Sequence, residues 1–503
     1  MEKLIVVVYT LTLLFLTCYS LVQTNLVRNY NRYQRRQAKN QPEEDEESSR
    51  LSKIPTDPLP FVTIQLPVYN EVYVIERLIR AVAQFDYPKD RMEIQVLDDS
   101  TDETTDIIAQ ELPAIRRQGI SIEHVRRNDR TGFKAGALAE GLKTARGEFI
   151  AIFDADFVPT PDFLKNTIPY FDHADIGLVQ GRWEHLNPDY SLLTRFQAFY
   201  LDAHFFVEQR GRSSAGHLIN FNGTAGVWRK TCIIDAGGWQ HDTLTEDLDL
   251  SYRAQLRGWH FRYLDEVRAP AELPVAMHAL KTQQFRWMKG IAECARKNLW
   301  TVLQSPDLSV GNKIHASFHL LSSFLFICVL LLGVLSVPVL FIKNQDPKYE
   351  RLLQIVSVCA LASMASIAFY WAAFTRRHRG ENNFLLHFIS NYSLFMTVSM
   401  GLSLHNAIAV FEGLIGRKSP FIRTPKFNTQ QTQDSWRKNK YLVNNLNPMT
   451  LLEGLLCIYF LSGIALAFYL RDFGFVPFHA MLCFGFGLVC YYSFIHARAI
   501  FHR

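Results

Sequence analysis

The stretch Phe149-Ile-Ala-Ile-Phe153-Asp154-Ala-Asp156 joins an apolar, β-rich run to two carboxylates. The same arrangement occurs twice earlier, in Phe61-Val-Thr-Ile-Gln-Leu66 before Pro67-Val-Tyr-Asn-Glu71 and in Glu93-Ile-Gln-Val-Leu97 before Asp98-Asp99-Ser100. Each run has the length and composition of a β-strand, so the sequence predicts three strands that end in polar residues.

Helical spacing separates these strands, from Glu71 to Phe85 and from Asp102 to Leu112. The β-α-β-α order predicts an open, largely parallel sheet that is covered by helices. In such sheets ligands bind beyond the carboxyl ends of the strands. We therefore expect the polar residues after the three strands to lie around one ligand site.

Asp154 and Asp156 have the spacing of a metal and phosphate site. Alternate residues of a strand point to the same side of the pleat, so both carboxylates can serve one site. Mg²⁺ and Mn²⁺ prefer a few carboxylates together with substrate phosphates and water. The alternative for a single such carboxylate is that it caps the next helix. That alternative does not explain three polar strand ends in register.

The 503-residue chain is 48% hydrophobic, and its long apolar runs lie outside this region. Runs of this length can cross the hydrocarbon core of a membrane. The sequence therefore predicts an integral membrane protein with one soluble domain. The predicted spans are 4–22, 314–342, 353–374, 451–470 and 473–494.

The distribution of basic residues predicts how the spans are oriented. Arg28, Arg32 and Arg35 follow the first span, and Arg376 and Arg377 follow the third. Cytoplasmic loops carry excess Lys and Arg, so we expect the N-terminus outside and the soluble domain in the cytoplasm.

The apolar segment 384–412 has two interpretations. A single crossing would place the basic loop 417–440 outside, against the charge rule. We therefore expect an interfacial or re-entrant helix and five spans in all, with a sixth span as the alternative.

Charge and cysteine content exclude other classes. The net charge of +5 is small for this length and does not suggest a nucleic-acid-binding face. The eight cysteines contain no CxxC pair, so neither a zinc ribbon nor a disulfide framework is predicted.

Five motifs, taken in order, resemble those of the processive family-2 glycosyltransferases, which include the cellulose, chitin and hyaluronan synthases. The motifs are Pro67-Val-Tyr-Asn-Glu71, Leu97-Asp-Asp-Ser100, Asp154-Ala-Asp156, Thr245-Glu-Asp247 and Gln283-Gln-Phe-Arg-Trp287.

Three further sequence segments resemble those of the cellulose-synthase-like A and C branch, which contains glucomannan 4-β-mannosyltransferases and glucan synthases. They are Phe133-Lys-Ala-Gly-Ala-Leu138, Phe153-Asp-Ala-Asp-Phe157 and Phe221-Asn-Gly-Thr-Ala-Gly-Val-Trp-Arg229. The resemblance implies an α/β GT-A-type (Rossmann-like) cytosolic glycosyltransferase domain plus an α-helical transmembrane domain.

The predicted organisation has four parts. They are an N-terminal transmembrane helix at 1–24, a basic and then acidic linker at 25–57, the GT-A domain with a terminal interfacial helix at 58–300, and a transmembrane domain at 301–503 that contains a cytoplasmic interfacial and gating segment at 384–450.

The resemblance implies roles on the donor side. Asp98 or Asp99 contacts the base or ribose, and Lys134 approaches the diphosphate. Asp154 binds the donor and the metal, and Asp156 binds the metal. The remaining donor-binding residues by this resemblance are Tyr69, Glu71 and Arg286.

The resemblance makes Asp247 the general base, with Glu246 and Asp154 beside it in the catalytic set. One base and one metal fit a single in-line displacement that inverts the anomeric carbon. Thr245-Glu-Asp247 is otherwise typical of a helix N-terminus with a capping Thr, because 248–256 has helical spacing. Both interpretations can hold together.

Acceptor binding is assigned by resemblance to Gln283, Trp287 and Asn222. Trp287 offers a flat apolar face on which a sugar ring can stack. Arg286 can neutralise the departing diphosphate. The alternative is an amphipathic helix at the membrane surface, and the two roles are compatible.

The loop Ser419-Pro-Phe-Ile-Arg-Thr-Pro-Lys426 resembles the gating loop of these synthases at Phe421, Thr424 and Lys426. Arg423 departs from the usual Val. Such a basic loop can close over a bound donor. The alternative is a cytoplasmic loop that only sets topology.

The expected activity is transfer of hexose from UDP-glucose or GDP-mannose to a growing β-linked polysaccharide, with Mg²⁺ or Mn²⁺ as cofactor. One alternative is transfer of a single sugar to a lipid, and another is a scaffold with an inactive domain. The lipid bilayer is an expected partner and nucleic acid is not. A bacterial inner membrane or a Golgi membrane would suit the predicted topology.

Overall fold

The computed structural model describes residues 1–39, 59–359, 364–429, 434, 436, 439–441 and 448–498. One seven-stranded sheet organises the soluble part. Its strands are β1 (Val62–Val68), β2 (Met92–Asp98), β3 (Ser121–Arg126), β4 (Phe149–Ile152), β5 (Ile176–His185), β6 (Gly226–Arg229) and β7 (His260–Ala271).

The strand order is β3-β2-β1-β4-β6-β5-β7. The pairs β3–β2, β2–β1, β1–β4 and β5–β7 are parallel, whereas β6 pairs antiparallel with both neighbours. The sheet is therefore largely parallel, as the sequence predicts. The three predicted strands are β1, β2 and β4, and the carboxyl ends of all three lie at one edge.

Helices cover both faces of the sheet. The helices of this part of the chain are α2 (Ile75–Ala83), α3 (Thr104–Arg117), α4 (Phe133–Thr144), α5 (Phe163–Thr167), α6 (Leu192–Asp202), a π-helix (Ala203–Gln209), α7 (Arg210–Ser213), α8 (Lys230–Asp235) and α9 (Glu246–Gln255). The long helix α1 (Glu2–Ala38) precedes the sheet and packs on other helices. The apolar residues of β1 and β2 are buried together with those of α2 and α3, which fixes the strand ends in register.

The remaining helices follow the sheet. They are α10 (Met277–Gln304), α11 (Val310–Leu320), α12 (Leu325–Gln345), α13 (Pro347–Ser357), α14 (Met364–Arg377), α15 (Phe384–Gly401), α16 (Ser403–Leu414), α17 (Met449–Leu470) and α18 (Val476–Arg498).

Within the described residues, four helical stretches are long and apolar enough to cross a membrane. They are Glu2–Ala38, Ser322–Gln345, Met449–Leu470 and Phe473–Ala497. The pair α15 and α16 is bent by 53° and would give a fifth span if it crossed as one unit. The bend suits either a broken span or a re-entrant segment, so the prediction for 384–412 stays a prediction.

Two predicted spans differ from the described helices or extend beyond the described residues. The span predicted at 314–342 begins too early, because residues 310–320 form the separate helix α11. Ala316 and Leu320 pack against Tyr252 and Cys294 of the soluble domain, so this apolar face is already covered. The span predicted at 353–374 includes residues 360–363, which lie outside the described residues.

Close helix contacts join the soluble domain to the apolar helices. A Cβ at Gly413 of α16 would lie 2.6 Å from the carbonyl oxygen of Lys289 in α10. Lys281 of α10 donates hydrogen bonds to the buried Glu453 of α17 at 2.7 and 2.8 Å. Helix α10 is thereby held between the sheet and the apolar helices.

Candidate active site

A narrow cleft of about 170 Å³ lies beyond the carboxyl ends of β1, β2 and β4. The structure brings almost all of the predicted site residues to it. Those lining the cleft are Tyr69, Glu71, Asp99, Lys134, Asp154, Asp156, Asn222, Glu246, Asp247, Gln283, Arg286, Trp287, Phe421, Thr424 and Lys426.

Asp98 is the exception, because it points away from the cleft. Its carboxylate accepts hydrogen bonds from the Ser100 amide at 2.8 Å and the Thr105 hydroxyl at 2.9 Å, and contacts His124 Nε2 at 2.8 Å. Burial raises the pKa of Asp98, but these hydrogen bonds outweigh it and hold the pKa at about 2. Asp98 stabilises the turn, and Asp99 is the carboxylate of this pair that faces the cleft.

Asp99 and Tyr69 form the end of the cleft nearest β2. Arg127 donates to both carboxylate oxygens of Asp99, with Nε at 2.9 Å from Oδ1. The guanidinium of Arg130 lies 3.2 Å from the centre of the Tyr69 ring. This end offers a flat aromatic face, a carboxylate and two cations.

Lys134 joins the strand-end carboxylates to the helix that carries the predicted base. Its Nζ donates to Asp154 Oδ1 at 2.5 Å and to the Gly223 carbonyl at 2.8 Å, and lies 3.9 Å from Glu246 Oε1. Burial lowers the pKa of Lys134, but Asp154 and Glu246 raise it above the usual range. Lys134 is therefore an ammonium ion next to two carboxylates.

Asp156 and Glu71 form a second acidic pair. Lys426 Nζ lies 2.6 Å from Asp156 Oδ2, and Arg423 lies 3.0 Å from Glu71 Oε1. Burial raises the pKa of Glu71 to about 8, Arg423 opposes this, and Asp156 adds to it. The other oxygen of Glu71 is buried and has no hydrogen-bond partner among the described residues.

This acidic pair has the ligand chemistry of a divalent-cation site. Two carboxylates beyond a strand end, one with an unpartnered oxygen, are the hard ligands that Mg²⁺ and Mn²⁺ prefer. Lysine and arginine side chains now neutralise them. The residues present therefore fit such a metal.

Asp247 lies in the first turn of α9. Its removal from water raises the pKa to about 7, the adjacent Glu246 adds to the rise, and Lys134 opposes it. A general base works best when its pKa is near the working pH. The electrostatics of this position therefore suit proton transfer.

Gly223 allows this close approach. Its φ of 80° lies in the left-handed region, and a Cβ there would lie 3.0 Å from Asp247 Oδ2 and 3.5 Å from Lys134 Nζ.

Thr245, at the N-cap of α9, makes no side-chain capping bond, so the predicted capping Thr is wrong. Its hydroxyl instead contacts Cys294 Sγ at 3.4 Å.

Helix α10 carries Gln283, Arg286 and Trp287 into the cleft. A Cβ at Gly290 of this helix would lie 2.5 Å from the Thr245 side chain, so α10 and the start of α9 touch. That contact fixes the distance between the predicted base and the predicted acceptor-binding side chains.

The segment 417–429, which we call the gating loop, closes the cleft from the side of α16. Phe421 stacks on Phe133 at 5.6 Å, and the Arg286 guanidinium lies 4.8 Å from the Phe421 ring centre. Lys426 also donates to the Glu272 carbonyl at 2.9 Å. Thr424 is buried among them.

The cleft residues that sequence analysis missed include Arg130, Trp183, His185 and Glu272. Trp183 and His185 lie at the end of β5, which was not among the predicted strands. The apolar run at 176–179, which precedes Arg-Trp-Glu-His by two residues, was the signal available. The Trp183 indole N–H and the Asn222 amide nitrogen have no hydrogen-bond partner among the described residues.

A second, larger cavity of about 1080 Å³ adjoins the cleft at Trp183, Asn222, Asp247 and Trp287, which line both. Further along, its walls are mainly apolar, and its far end includes Lys343, Gln354 and Gly474. Apolar side chains along it include Leu13, Leu16, Phe326, Val329, Leu332 and Phe478.

Residues 60–290 match the family described as glycosyltransferase like family 2. Glucomannan 4-beta-mannosyltransferase 9 of Arabidopsis thaliana is 36% identical over 400 residues, which are 76% of this chain and 71% of the plant protein. Glucomannan 4-beta-mannosyltransferase 1 of Oryza sativa subsp. japonica is 38% identical over 347 residues, 66% of each chain. Probable glucomannan 4-beta-mannosyltransferase 4 of the same rice is 45% identical, over 53% of this chain and 49% of its own.

Among solved structures, the mannosyltransferase PcManGT from Pyrobaculum calidifontis, in complex with GDP-Man and Mn²⁺, has a TM-score of 0.49 and 19% sequence identity. The likeness covers 74% of this chain and all of the other.

The sheet, its acidic strand ends and the family match define a GT-A glycosyltransferase domain. The chain belongs to the family-2 glycosyltransferases, and its curated relatives are glucomannan 4-β-mannosyltransferases of the cellulose-synthase-like branch. This confirms the predicted family, fold class and hexosyltransferase class.

Proposed function

We propose that this protein is an inverting glycosyltransferase that extends a β-linked polysaccharide, with β-1,4 as the first linkage to test, and translocates the growing chain across the membrane. One observation carries the proposal. The predicted base Asp247 and the predicted acceptor residue Trp287 line both the cleft and the cavity that adjoins it. Sugar transfer and product exit would therefore meet at one point.

The reaction forms one bond and breaks one. The acceptor hydroxyl oxygen attacks the anomeric carbon, the bond from that carbon to the diphosphate oxygen breaks, and the nucleoside diphosphate leaves with the bonding electrons. Asp247 takes the hydroxyl proton, which its raised pKa favours. Attack opposite to the leaving group turns an α-linked donor into a β-linked product.

Donor binding falls to the strand-end residues. Asp99 and Tyr69 face the nucleoside, and Lys134 and Arg286 hold the diphosphate as cations. Asp154 and Asp156 would hold the divalent metal, Mg²⁺ or Mn²⁺, with Glu71 beside Asp156 as a further carboxylate. When bound, the ion supplies Lewis-acid neutralisation of the leaving diphosphate.

The gating loop has to open before a donor enters. A volume of about 170 Å³ is below the roughly 300–1,000 Å³ of typical ligand pockets. Lys426 and Arg423 occupy the acidic pair in this closed arrangement. Opening frees Asp156 and Glu71, and reclosure brings Phe421, Thr424 and Lys426 over the donor and excludes water.

Two tryptophans flank the acceptor position. The Trp183 and Trp287 ring centres are 6.5 Å apart, and sugar rings stack on such faces. The unpartnered Trp183 N–H and Asn222 amide can donate to sugar hydroxyls. Gln283 lies at the cleft side of the same position.

The adjoining cavity has the length needed for an exit path. It touches α12 at both Leu325 and Lys343, which a helix rising 1.5 Å per residue separates by about 27 Å. A bilayer hydrocarbon core is about 30 Å thick. A cytoplasmic catalytic domain in a bacterial inner membrane or a Golgi membrane fits this path.

The apolar walls of the cavity favour one alternative, the transfer of a single sugar to a lipid. Leu16, Val329 and Phe478 would suit an acyl or prenyl chain as well as the apolar face of a sugar polymer.

Product analysis separates the two functions. Protein reconstituted in lipid vesicles is incubated with labelled UDP-glucose or GDP-mannose and Mg²⁺ or Mn²⁺, beside an Asp247→Asn variant. We expect an insoluble labelled polymer that a β-glucanase or β-mannanase digests and that the variant does not make. Label found only in one lipid-extractable species would refute polymer synthesis and support the lipid acceptor.

A further inference from the structure

Three metal-ligating side chains converge outside the catalytic cleft, where α14 meets α15. His378 Nδ1 lies 2.7 Å from Glu381 Oε1, and His387 Nδ1 lies 3.0 Å from Glu381 Oε2. His378 follows the last residue of α14, Glu381 lies in the connecting loop, and His387 is in the first turn of α15. The three ligand atoms lie within 4.8 Å of one another.

Packing holds both imidazoles in these orientations. Phe374 stacks on His378 at 4.2 Å and meets His387 edge-on at 5.2 Å. Gly380 has a φ of 91° and Asn383 a φ of 58°, so two left-handed residues fold the short loop back on itself. An apolar wall therefore backs the cluster, while its other side faces solvent.

We propose that His378, Glu381 and His387 bind one divalent transition-metal ion and that this ion is Zn²⁺. Two imidazole nitrogens and one carboxylate oxygen are a ligand set that suits Zn²⁺ and its neighbours, whereas Mg²⁺ prefers oxygen ligands only. A water molecule completes a tetrahedral site. The site is separate from the strand-end carboxylates of the cleft, and its assignment does not depend on the proposed reaction.

The geometry needs only small adjustments to hold such an ion. Zn–N bonds of about 2.0–2.1 Å place tetrahedral ligand atoms about 3.3 Å apart. For whichever Glu381 oxygen is the ligand, its present nitrogen contact would widen by about 0.3–0.6 Å, and the other two distances between ligand atoms would close by about 1.5 Å at most. Rotation of the histidine side chains can supply movements of this size.

The neighbouring basic residues do not oppose the ion. Arg376 points at Glu266, with a 2.8 Å contact, and Arg377 donates to Glu184 and Asp202 at 2.8 and 3.0 Å. Arg379 is exposed to solvent. Glu381 therefore faces two imidazoles rather than an arginine.

An ion at this position would brace the contact between the helices and the sheet. It would tie the end of α14 to the start of α15, and α14 carries Arg377. Asp202, the partner of Arg377, also contacts His185 Nε2 of the cleft at 3.0 Å. The role we assign to the ion is therefore structural, at the junction that supports the acceptor end.

Cobalt spectroscopy tests the site directly. Full-length protein without a polyhistidine tag is stripped of metal in detergent and titrated with Co²⁺. We expect the visible bands of tetrahedral coordination to saturate at one Co²⁺ per chain and to disappear when added Zn²⁺ displaces the Co²⁺. His378→Gln and His387→Gln should abolish the bands. His260→Gln, which removes an exposed histidine 3.7 Å from Asp175, and Asp156→Asn should leave them unchanged.

A conservative variant guards against misfolding. His387→Cys keeps a ligand at the position, so it should still bind Co²⁺ and gain a near-ultraviolet thiolate-to-cobalt band. Absence of tetrahedral bands in the unaltered protein, or bands that survive in the His378→Gln/His387→Gln double variant, would overturn the proposal.

Discussion

The walls of the catalytic cleft carry ion pairs such as Lys134–Asp154 and Lys426–Asp156. The walls of the adjoining cavity are instead formed mainly by apolar side chains such as Val329. The two spaces meet at Trp287. Breaking a sugar–phosphate bond requires charges placed around the donor. A path for product requires walls that bind no part of the product strongly.

The difference shows where each kind of interaction is useful. In the cleft, Lys134, Arg423 and Lys426 each face a carboxylate, so much of the charge is already paired before a donor arrives. A bound diphosphate and metal would then exchange partners rather than meet isolated charges, whose burial is costly. In the cavity, apolar contact gives no such fixed partner, which suits a chain that must move.

Removal of the base should give the largest effect. Asp247→Asn keeps the size of the side chain but cannot accept the proton, and general-base catalysis is worth about 10²–10⁴-fold. We expect turnover to fall by about 10³-fold with little change in donor affinity, measured by initial rates and by donor binding. Asp90→Asn, a change of an exposed surface carboxylate, is the control. Loss of donor binding in Asp247→Asn would instead make Asp247 a binding residue.

Obstruction of the cavity should separate synthesis from exit. Val329→Trp adds a large ring to the cavity wall, and we expect polymer yield to fall about tenfold, which corresponds to about 1.4 kcal/mol. Release of nucleoside diphosphate by donor hydrolysis should continue, because the cleft is untouched. Leu455→Trp, on an exposed face of α17, is the matched control. A wild-type polymer yield in Val329→Trp would show that product does not pass this wall.

Loosening one ion pair of the cleft should give a smaller change. Lys426→Met leaves Asp156 unpaired, so Mn²⁺ should reach half-saturation at a roughly threefold lower concentration, because no ammonium competes for this largely buried carboxylate. Turnover should fall because the gating loop loses its cation. Lys418→Met changes an exposed lysine of the same loop and should alter neither quantity. An unchanged Mn²⁺ dependence would mean that Lys426 and the metal do not compete.

The sequence was sufficient for the donor side of the cleft because periodicity and strand-end chemistry are local. β1, β2 and β4 lie in register, and their polar ends meet as predicted. Because these signals are local, the sequence did not decide whether Asp98 or Asp99 faces the cleft. Adjacent strand residues point to opposite faces, and only the packing around His124 shows that Asp98 faces away.

The acceptor side depended on contacts that no local pattern contains. Trp183 and His185 reach the cleft because β5 pairs with β7 and ends beside α10. Glu272 holds the gating loop through the Phe427 amide at 2.9 Å, a contact between distant parts of the chain. The predicted span 314–342 included part of α11, because apolar residues that pack on a domain resemble those that face lipid.

The pH profile should give the smallest of these effects, because it follows the protonation of Asp247 where the two spaces meet. Asp247 accepts a proton only when ionised, so turnover should rise with pH through the raised pKa of about 7. The negative charge of Glu246 contributes to that rise. Glu246→Gln removes this charge, so the pKa of Asp247 falls and the acid limb moves to lower pH.

Glu123→Gln, at an exposed position of β3 remote from Asp247, is the control and should keep the wild-type profile. The measurement is initial rate at saturating donor across the pH range, with protein stability followed in parallel. A profile of Glu246→Gln that coincides with the wild type would mean that Asp247 is not the titrating base. A shift to higher pH would mean that loss of the Glu246 contact to Lys134 outweighs the loss of its charge beside Asp247.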